Sequence, residues 1–577
     1  MSGARRIVRR TLDAVAHDLP PDLHPVLQRL YLTRRLTSAA ELARGLDRLE
    51  PPQGLLGIDA AVTLLEDALR YVRRILIVAD FDADGATSCA LAVRALRTLG
   101  AARVDYVVPN RFEYGYGLTP EIVAVAAEHR PELLITVDNG ISSLDGVAAA
   151  RARGMRVLIT DHHLPGAVLP AADAIVNPNQ PGDRFASKHL AGVGVIFYVM
   201  LALRARLRER GWFDERNVAE PNLAQWLDLV ALGTVADVVP LDRNNRILVA
   251  QGLARINRGQ ACAGIRALLA VAGRAPGHLS ATDLGFVLGP RLNAAGRLTD
   301  MSLGIACLLS EDPAAAQEMA GRLDRLNRER RAIEAGMQAQ ALGLLDALHL
   351  DGELPRGLCL YDPAWHQGVI GILAARIKER VHRPVIAFAP AGDGSLKGSA
   401  RSVPGVHVRD VLDAVAARHP ALLQKFGGHA MAAGLSLDAD KLPAFSAAFA
   451  DEVGRHLGAE ALHGQLTSDG ELAAGDLDLG LAELLRTAGP WGQGFPEPLF
   501  DGEFEVLAAR VVGDKHLKLQ LRHPEGRTLD AIAFNQATGR ELCGRRVRVA
   551  YRLAVNEYQG ARAVQLVAVE IQDPDAG

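Results

Sequence analysis

From residue 74 onward, short apolar runs alternate with longer amphipathic stretches, and each run stops at a polar residue, in three of four cases an acidic one. The runs are RRILIVADFDADG, ARVDYVVPN, ELLITVDNG and RVLITDHH, with segments such as ATSCALAVRALRTLG between them. Near-continuous apolar strands separated by helical segments predict a parallel sheet with crossover helices, covered on both faces. In such sheets functional groups collect beyond the carboxyl ends of the strands, where loops meet in a crevice. Asp80, Asp82, Asp84, Asp138, Asp161, His162 and His163 all fall there. A further segment, LDLVALGTVADVVPLDRNNR, runs apolar into Asp237 and Pro240 and is read as bringing one more carboxylate to the crevice.

Elsewhere the pattern changes. Residues 1–55 are a basic, Leu-rich lead ending in EPPQG, read as helices that cap the next domain. Residues 311–347 are rich in helix formers with few breakers and predict a long connecting helix. A second α/β unit is expected over 348–460, with strands near GLCLYD and RPVIAFAP and a helix in VIGILAARIKERV. Over about 498–577 the segments LKLQLRH, RRVRVAYRLAV and AVQLVAVEI alternate with period two and predict a small β-barrel. The fold expectation is therefore α/β: two α/β lobes joined by a long helix, followed by a C-terminal β-barrel.

Composition narrows the function classes. A length of 577 residues implies several domains, and 49% hydrophobic against 23% charged residues implies ample core. Lys+Arg 64 against Asp+Glu 67 gives a formal charge of -3, so nucleic acid would have to be held by local basic patches. Cys89, Cys262, Cys307, Cys359 and Cys543 are widely spaced without a CxxC, against a disulfide framework, zinc site or redox pair. The basic N-terminus lacks the apolar stretch of a secretory signal. The longest uncharged apolar run, Leu190–Leu203, is shorter than the roughly 18 residues of a membrane span. The expectation is a cytoplasmic monomer without membrane contact.

Three carboxylates within five positions, Asp80, Asp82 and Asp84, repel one another unless a cation neutralises them. Alone, the DxDxDG run reads equally as a solvated turn or a helix N-cap. An EF-hand loop is excluded, since the twelfth position lacks Glu and the setting is strand-to-helix. Adding Asp138 and the TDHH segment supplies mixed carboxylate and imidazole ligands suited to Mn²⁺ or Mg²⁺, with imidazole favouring Mn²⁺. The carboxylates exceed the needs of one ion, which points to two ions about 3.5 to 4 Å apart, as in phosphoryl hydrolases.

VADFDADGATS, VPNRFEYGYGL, TVDNGIS, TDHH, GVGVIF, ALGTVADVVPL, GPRLNAAGR, WHQGVIGILAARIKE and KFGGHAMAAG occur in one order along the chain. In these segments the chain resembles the DHH phosphoesterase superfamily and, within it, the RecJ-type single-strand-specific exonucleases. The resemblance runs from about residue 50 to the C-terminus. It implies a DHH domain over 56–310, a DHH-associated substrate-binding domain over 348–460 and an OB-like nucleic-acid-binding domain over 461–577. It also implies that Asp82 and Asp84 each serve one ion, that Asp138 is shared, and that His162 and Asp237 serve the second. His163 is then directed to the scissile phosphate. Many members carry a His four residues before the DxD, where this chain has Val78, and Asp80 is expected to compensate as a ligand. Tyr114 stands where the family often has an acidic residue.

For gripping the strand, the candidates are Arg111 and Tyr116, Arg291, Asn293 and Arg297, His366 and Gln367, and Gly427, Gly428 and His429. Lys515, His516, Lys518, Arg522, Arg545, Arg546 and Arg548 supply a basic groove on the barrel, where Phe534 and Tyr558 are nearly the only aromatics. With 5% aromatic residues, backbone contacts should outweigh stacking, and affinity should fall steeply with salt. The implied activity is metal-dependent 5′-to-3′ degradation of single-stranded DNA to 5′-mononucleotides in recombination and repair, with a single-strand-binding protein as partner. Two alternatives stand beside it: another phosphodiesterase of the superfamily, acting on oligoribonucleotides or cyclic dinucleotides, and an inactive DNA-binding scaffold.

Overall fold

In the computed structural model the apolar runs form a five-stranded parallel sheet: β1 (Ile75–Ala79), β2 (Val104–Val107), β3 (Leu133–Val137), β4 (Arg156–Thr160) and β5 (Ala174–Val176). The structure describes residues 5–12, 15–109, 117–350, 354–392, 394–456, 464–536, 542–558 and 560–574, without the side chains of 347–350 and 558. Strand order is β2-β1-β3-β4-β5. Every residue of β1 and β3 is buried, as expected where helices cover both faces. On one face Leu76, Val78, Leu134, Val157 and Ile159 pack with Ile122, Val123, Val147 and Ala150 from the helices Pro120–Glu128 and Leu144–Ala152. Against the other lie α1 (Ala83–Thr98) and α2 (Gly192–Glu209), with α3 (Leu227–Ala236) packed on both helices. Helix α1 is buried almost throughout, which its small residues Gly85, Ala86, Ser88, Ala90 and Ala92 permit.

The chain divides into two compact units. One comprises Ala14–Asn327 with Arg486–Glu497, and it contains the parallel sheet. The segment Arg486–Glu497 falls within the range that the resemblance assigns to the OB-like domain, yet it packs here: Trp491 and Phe495 stack at 4.9 Å, and the Tyr31 hydroxyl donates to the Ala488 carbonyl.

The other unit comprises Met1–Asp13, Arg328–Leu485 and Pro498–Gly577. Its mixed sheet contains β6 (Leu358–Tyr361), β7 (Val385–Pro390), β8 (Ser395–Arg401), β9 (Lys425–Gly428) and β10 (Ala432–Asp438), in the order β9-β10-β8-β7-β6. A closed five-stranded barrel follows, formed by β11 (Phe500–Val512), β12 (His516–Arg522), β13 (Thr528–Ala533), β14 (Arg546–Tyr558) and β15 (Ala561–Gln572). The N-terminal lead departs from the helical expectation. Arg6–Arg9 is a strand paired in parallel with Gln465–Ser468, anchored where Arg9 meets the buried Asp501 at 2.9 Å. Helix comes only later in the lead, at Pro25–Thr33 and Ala39–Leu42.

The long helix expected over 311–347 runs from Pro313 to Leu350 and carries the chain from one unit into the other. Proline fits its first turn, and the Asp312 carboxylate accepts the Ala314 N–H at 3.0 Å as a cap. Among the described residues no helix is long and apolar enough to cross a membrane.

Candidate metal centre

Register brings the first donors into line. Ala79 pairs with Val137, Val137 with Thr160, and Thr160 with Val176, so Asp80, Asp138, Asp161 and Asn177 follow at one level of the sheet. Backbone hydrogen bonds from Asp80 to Val137 (3.3 Å), Asp138 to Thr160 (3.0 Å) and Asp161 to Val176 (3.1 Å) carry the ladder one residue further. From β1 the chain crosses to β2 on one side, and from β3 it crosses to β4 on the other. A crevice therefore opens at the ends of β1 and β3, the switch point of the sheet. Asp138 ends β3 with a left-handed φ of 63°, a conformation Asp tolerates better than most residues. Its neighbour Asn139 is buried and donates Nδ2–H to the carbonyls of Val78 (3.1 Å) and Val137 (2.9 Å), which ties the two strand ends together.

Asp82 is both cap and candidate ligand. Its Oδ1 accepts the N–H groups of Asp84 (2.9 Å) and Gly85 (3.0 Å) at the start of α1, a task that does not use Oδ2. Asp84 is fully buried, and its carboxylate accepts N–H from Gly192 (2.6 Å) and Val193 (2.9 Å) in the first turn of α2, where the helix dipole favours an anion. A glycine is required at 192 because a Cβ there would lie 2.6 Å from Asp138 Cβ and Oδ1. Asp237 arrives differently from the strand-end residues, as the C-cap of helix α3.

The TDHH loop is organised by Asp161. Its Oδ2 accepts Ile141 N–H (2.9 Å), and its Oδ1 accepts the N–H groups of His162 (2.7 Å) and His163 (3.1 Å) and faces His163 Nδ1 at 2.7 Å. Asn179 and Asn177 donate to the carbonyls of His162 (2.6 Å) and His163 (2.9 Å). His162 is thereby held with Nε2 at 3.1 Å from Asp138 Oδ1, 3.5 Å from Asp237 Oδ2 and 3.9 Å from Asp84 Oδ2.

Among the described residues, Asp80, Asp82 and Asp138 form one set of donors within 4.8 Å of one another, and Asp84, His162 and Asp237 form a second. Asp138, His162 and His163 make a third combination, which places Asp138 between the other two sets. Burial, then repulsion from neighbouring carboxylates, raises Asp80, Asp138 and Asp237 well above the usual range and pushes Asp84 up to about 7. Asp161 goes the other way: burial acts to raise it, but the His163 hydrogen bond and charge hold it below its ordinary value. For His163, burial acts to lower the imidazole, and Asp161 outweighs that and brings it up to about 9. So many buried oxygens with one imidazole repel one another when ionised and suit divalent cations such as Mn²⁺ or Mg²⁺; the donor set fits the metals expected from the sequence.

The domains match those of known proteins. The DHH family N-terminal domain model matches residues 74–234, the DHHA1 domain 355–455 and the RecJ OB domain 468–570. The chain is 58% identical to the single-stranded-DNA-specific exonuclease RecJ of Dickeya dadantii strain 3937, with 95% of this chain and 96% of that protein covered. The chain belongs to the RecJ family. RecJ of Escherichia coli K12 is 55% identical, with 97% of each chain covered. Among solved structures, RecJ from Thermus thermophilus in complex with Mn²⁺ matches with a TM-score of 0.78 and 31% identity, covering 99% of this chain and 80% of that one. The Mg²⁺ complex of the same protein matches with a TM-score of 0.74 and 29% identity, covering 99% and 78%.

The remaining candidates divide. In the DHH unit, Asn293 lies on α4 (Gly289–Leu298) and its Oδ1 accepts Ala83 N–H at 2.8 Å, so it braces the DxD loop. Arg291 is buried, with Nε on Asp324 at 3.0 Å and a second nitrogen on the Val287 carbonyl at 2.7 Å. Arg297 is half-buried on the same helix. Arg111, Tyr114 and Tyr116 lie outside the described residues.

In the DHHA1 region, His366 Nδ1 accepts Gly368 N–H at 3.0 Å and Gln367 donates to the Pro390 carbonyl at 3.0 Å. Gly427 and Gly428 end the edge strand β9, and His429 starts its hairpin turn to β10. On the OB barrel, Lys515, Arg522, Arg545 and Arg546 are exposed, His516 is half-buried beside Phe534, and Lys518 is paired to Asp530 at 3.0 Å. Arg522 meets Glu505 at 3.3 Å, and Arg548 is held by Asp501 at 2.8 Å. Asp161, counted in the sequence reading among the donors at the strand ends, organises the two histidines instead, and Asn139, to which the sequence reading gives no role, ties the ends of β1 and β3 together; its only sequence signal is to sit inside TVDNG.

Proposed function

We propose that the chain is a Mn²⁺- or Mg²⁺-dependent exonuclease that degrades single-stranded DNA from its 5′ end, releasing nucleoside 5′-monophosphates. One observation carries the reading: two donor sets, linked by Asp138, meet beyond the ends of β1, β3 and β4. Asp80, Asp82 and Asp138 would hold one ion, and Asp84, His162 and Asp237 the other, with Asp138 shared. Bound divalent cations supply charge neutralisation at the phosphoryl oxygens and lower the pKa of a water molecule. His163, kept protonated at neutral pH by Asp161, donates its Nε2–H to a non-bridging phosphate oxygen as negative charge grows there. Water attack at phosphorus breaks the bond to the 3′ oxygen. The products are a 5′-mononucleotide and a strand shortened by one residue that again bears a 5′-phosphate.

The barrel is proposed to hold the strand through exposed Lys515, Arg545 and Arg546, so binding should weaken with salt. The same reading places the protein in the cytoplasm as a monomer, with a single-strand-binding protein as partner on the strand. Incubating 5′- and 3′-labelled single strands with Mn²⁺, and with EDTA as control, tests it. The 5′ label should appear first, as mononucleotide, and only with metal; a dinucleotide cleaved faster than a long strand would favour another phosphodiesterase of the superfamily.

A further inference from the structure

Three large apolar side chains stand in solvent on or beside the segments that carry the metal-centre donors. Leu164 follows His163 and is 60% exposed, Val238 follows Asp237 and is 61% exposed, and Phe286 is 74% exposed. Val238 also adopts a φ of 63°, an outlier for a β-branched residue and the kind of strain that clusters at functional sites. Phe286 lies in a π-helical turn, Leu284–Leu288, another irregularity that recurs at such sites.

That turn abuts the end of α3. A Cβ at Gly285 would lie 3.2 Å from Val235 Cγ1 and one at Gly289 3.1 Å from Ala236 Cβ, so the turn packs on the two residues before Asp237. Helix α4 continues from it and delivers Asn293 to the DxD loop. The segment bearing Phe286 thus borders the donors at both ends.

A phosphodiester seated at the donors brings a sugar and a base with it. In a single strand that base is unpaired, with apolar faces open to water. An aromatic ring can accept any of the four bases by stacking, which suits an enzyme that must degrade every sequence. We propose that Leu164, Val238 and Phe286 form an apolar clamp for the nucleobase beside the scissile phosphate, with Phe286 as the stacking ring. The clamp rests on the reading of the chain as a single-strand exonuclease.

The test compares kcat/KM with Mn²⁺ for two single-stranded oligonucleotides, identical except that one carries abasic tetrahydrofuran residues at its first two 5′ positions. The full-length enzyme should prefer the normal strand by about tenfold or more, the scale of one base–aromatic stack. Phe286→Ala should bring the ratio close to one, while Phe286→Tyr should keep it. An unchanged ratio in Phe286→Ala, or no preference in the parent enzyme, overturns the clamp. Should Phe286→Ala fail to fold, Val238→Ser is read the same way, with a lowered ratio supporting the clamp and an unchanged one overturning it. A parent enzyme that cleaves neither strand instead overturns the exonuclease reading.

Discussion

Asp161 shows how one carboxylate sets the chemistry of another residue. Its oxygens accept three backbone N–H groups and face His163 Nδ1, so it fixes the loop and holds its neighbour protonated. In Asp161→Asn the His163 imidazole should fall from about 9 toward its ordinary 6.5, because the charge that raises it is gone. If protonated His163 serves the phosphate, the alkaline limb of the kcat profile moves to lower pH. Turnover near neutrality should drop about 10- to 100-fold, the usual effect of losing an outer-shell partner. Metal content, measured on the same preparation, separates this from loss of ligands; an unshifted limb removes His163 from the reaction. Asp138→Ala, which strips the donor that links the two sets, should abolish cleavage while the exposed basic residues still retain the strand in a gel-shift assay.

At the scale of elements, helix starts and ends bring the donors together as much as strands do. The first turn of α2 donates two N–H groups to Asp84 and passes so close to Asp138 that only glycine fits at 192. Gly192→Ala should therefore disturb both donor sets and lower cleavage by at least about tenfold, with the larger loss in metal affinity measured by titration. Little of this was legible in the sequence. The strands were legible, since β1 and β3 are apolar on both faces and stop at acidic residues. The partner of Asp84 was not, because it is backbone 108 residues away and carries no side-chain signal. Asp237 was legible as a carboxylate ending an apolar run, but LDLVALGTVA is apolar nearly all round, so periodicity could not reveal it as a helix. Arg291 illustrates the converse. An arginine in a glycine-rich motif suggests phosphate, and only the fold reveals Asp324 beside it. The strand Arg6–Arg9 is too short to announce itself, and its partner Gln465–Ser468 lies at the other end of the chain.

For the whole molecule, the buried carboxylates link folding to pH and to metal. Asp84 ionises near 3.8 when unfolded and at about 7 when folded, and Asp80, Asp138 and Asp237 are displaced in the same direction. Between those values the folded chain binds protons that the unfolded chain has released, so stability falls as pH rises through the window. His163 adds to the trend: raised from 6.5 to about 9, it stabilises fully below 6.5 and loses that contribution as pH climbs through 9. Asp161, being depressed, opposes only in acid, where its contribution disappears below the ordinary carboxylate range. Metal-free protein should therefore unfold at a lower temperature near about pH 8 than near about pH 5. Cations bind the deprotonated donors of the native state alone, so their stabilisation grows as the protons leave. Thermal unfolding with EDTA and with Mn²⁺ should thus show a larger gain in Tm from Mn²⁺ at the higher pH, and that extra gain should vanish in Asp138→Ala. Equal gains at both pH values, or an undiminished gain in the variant, would mean that the ions stabilise the protein somewhere other than these aspartates.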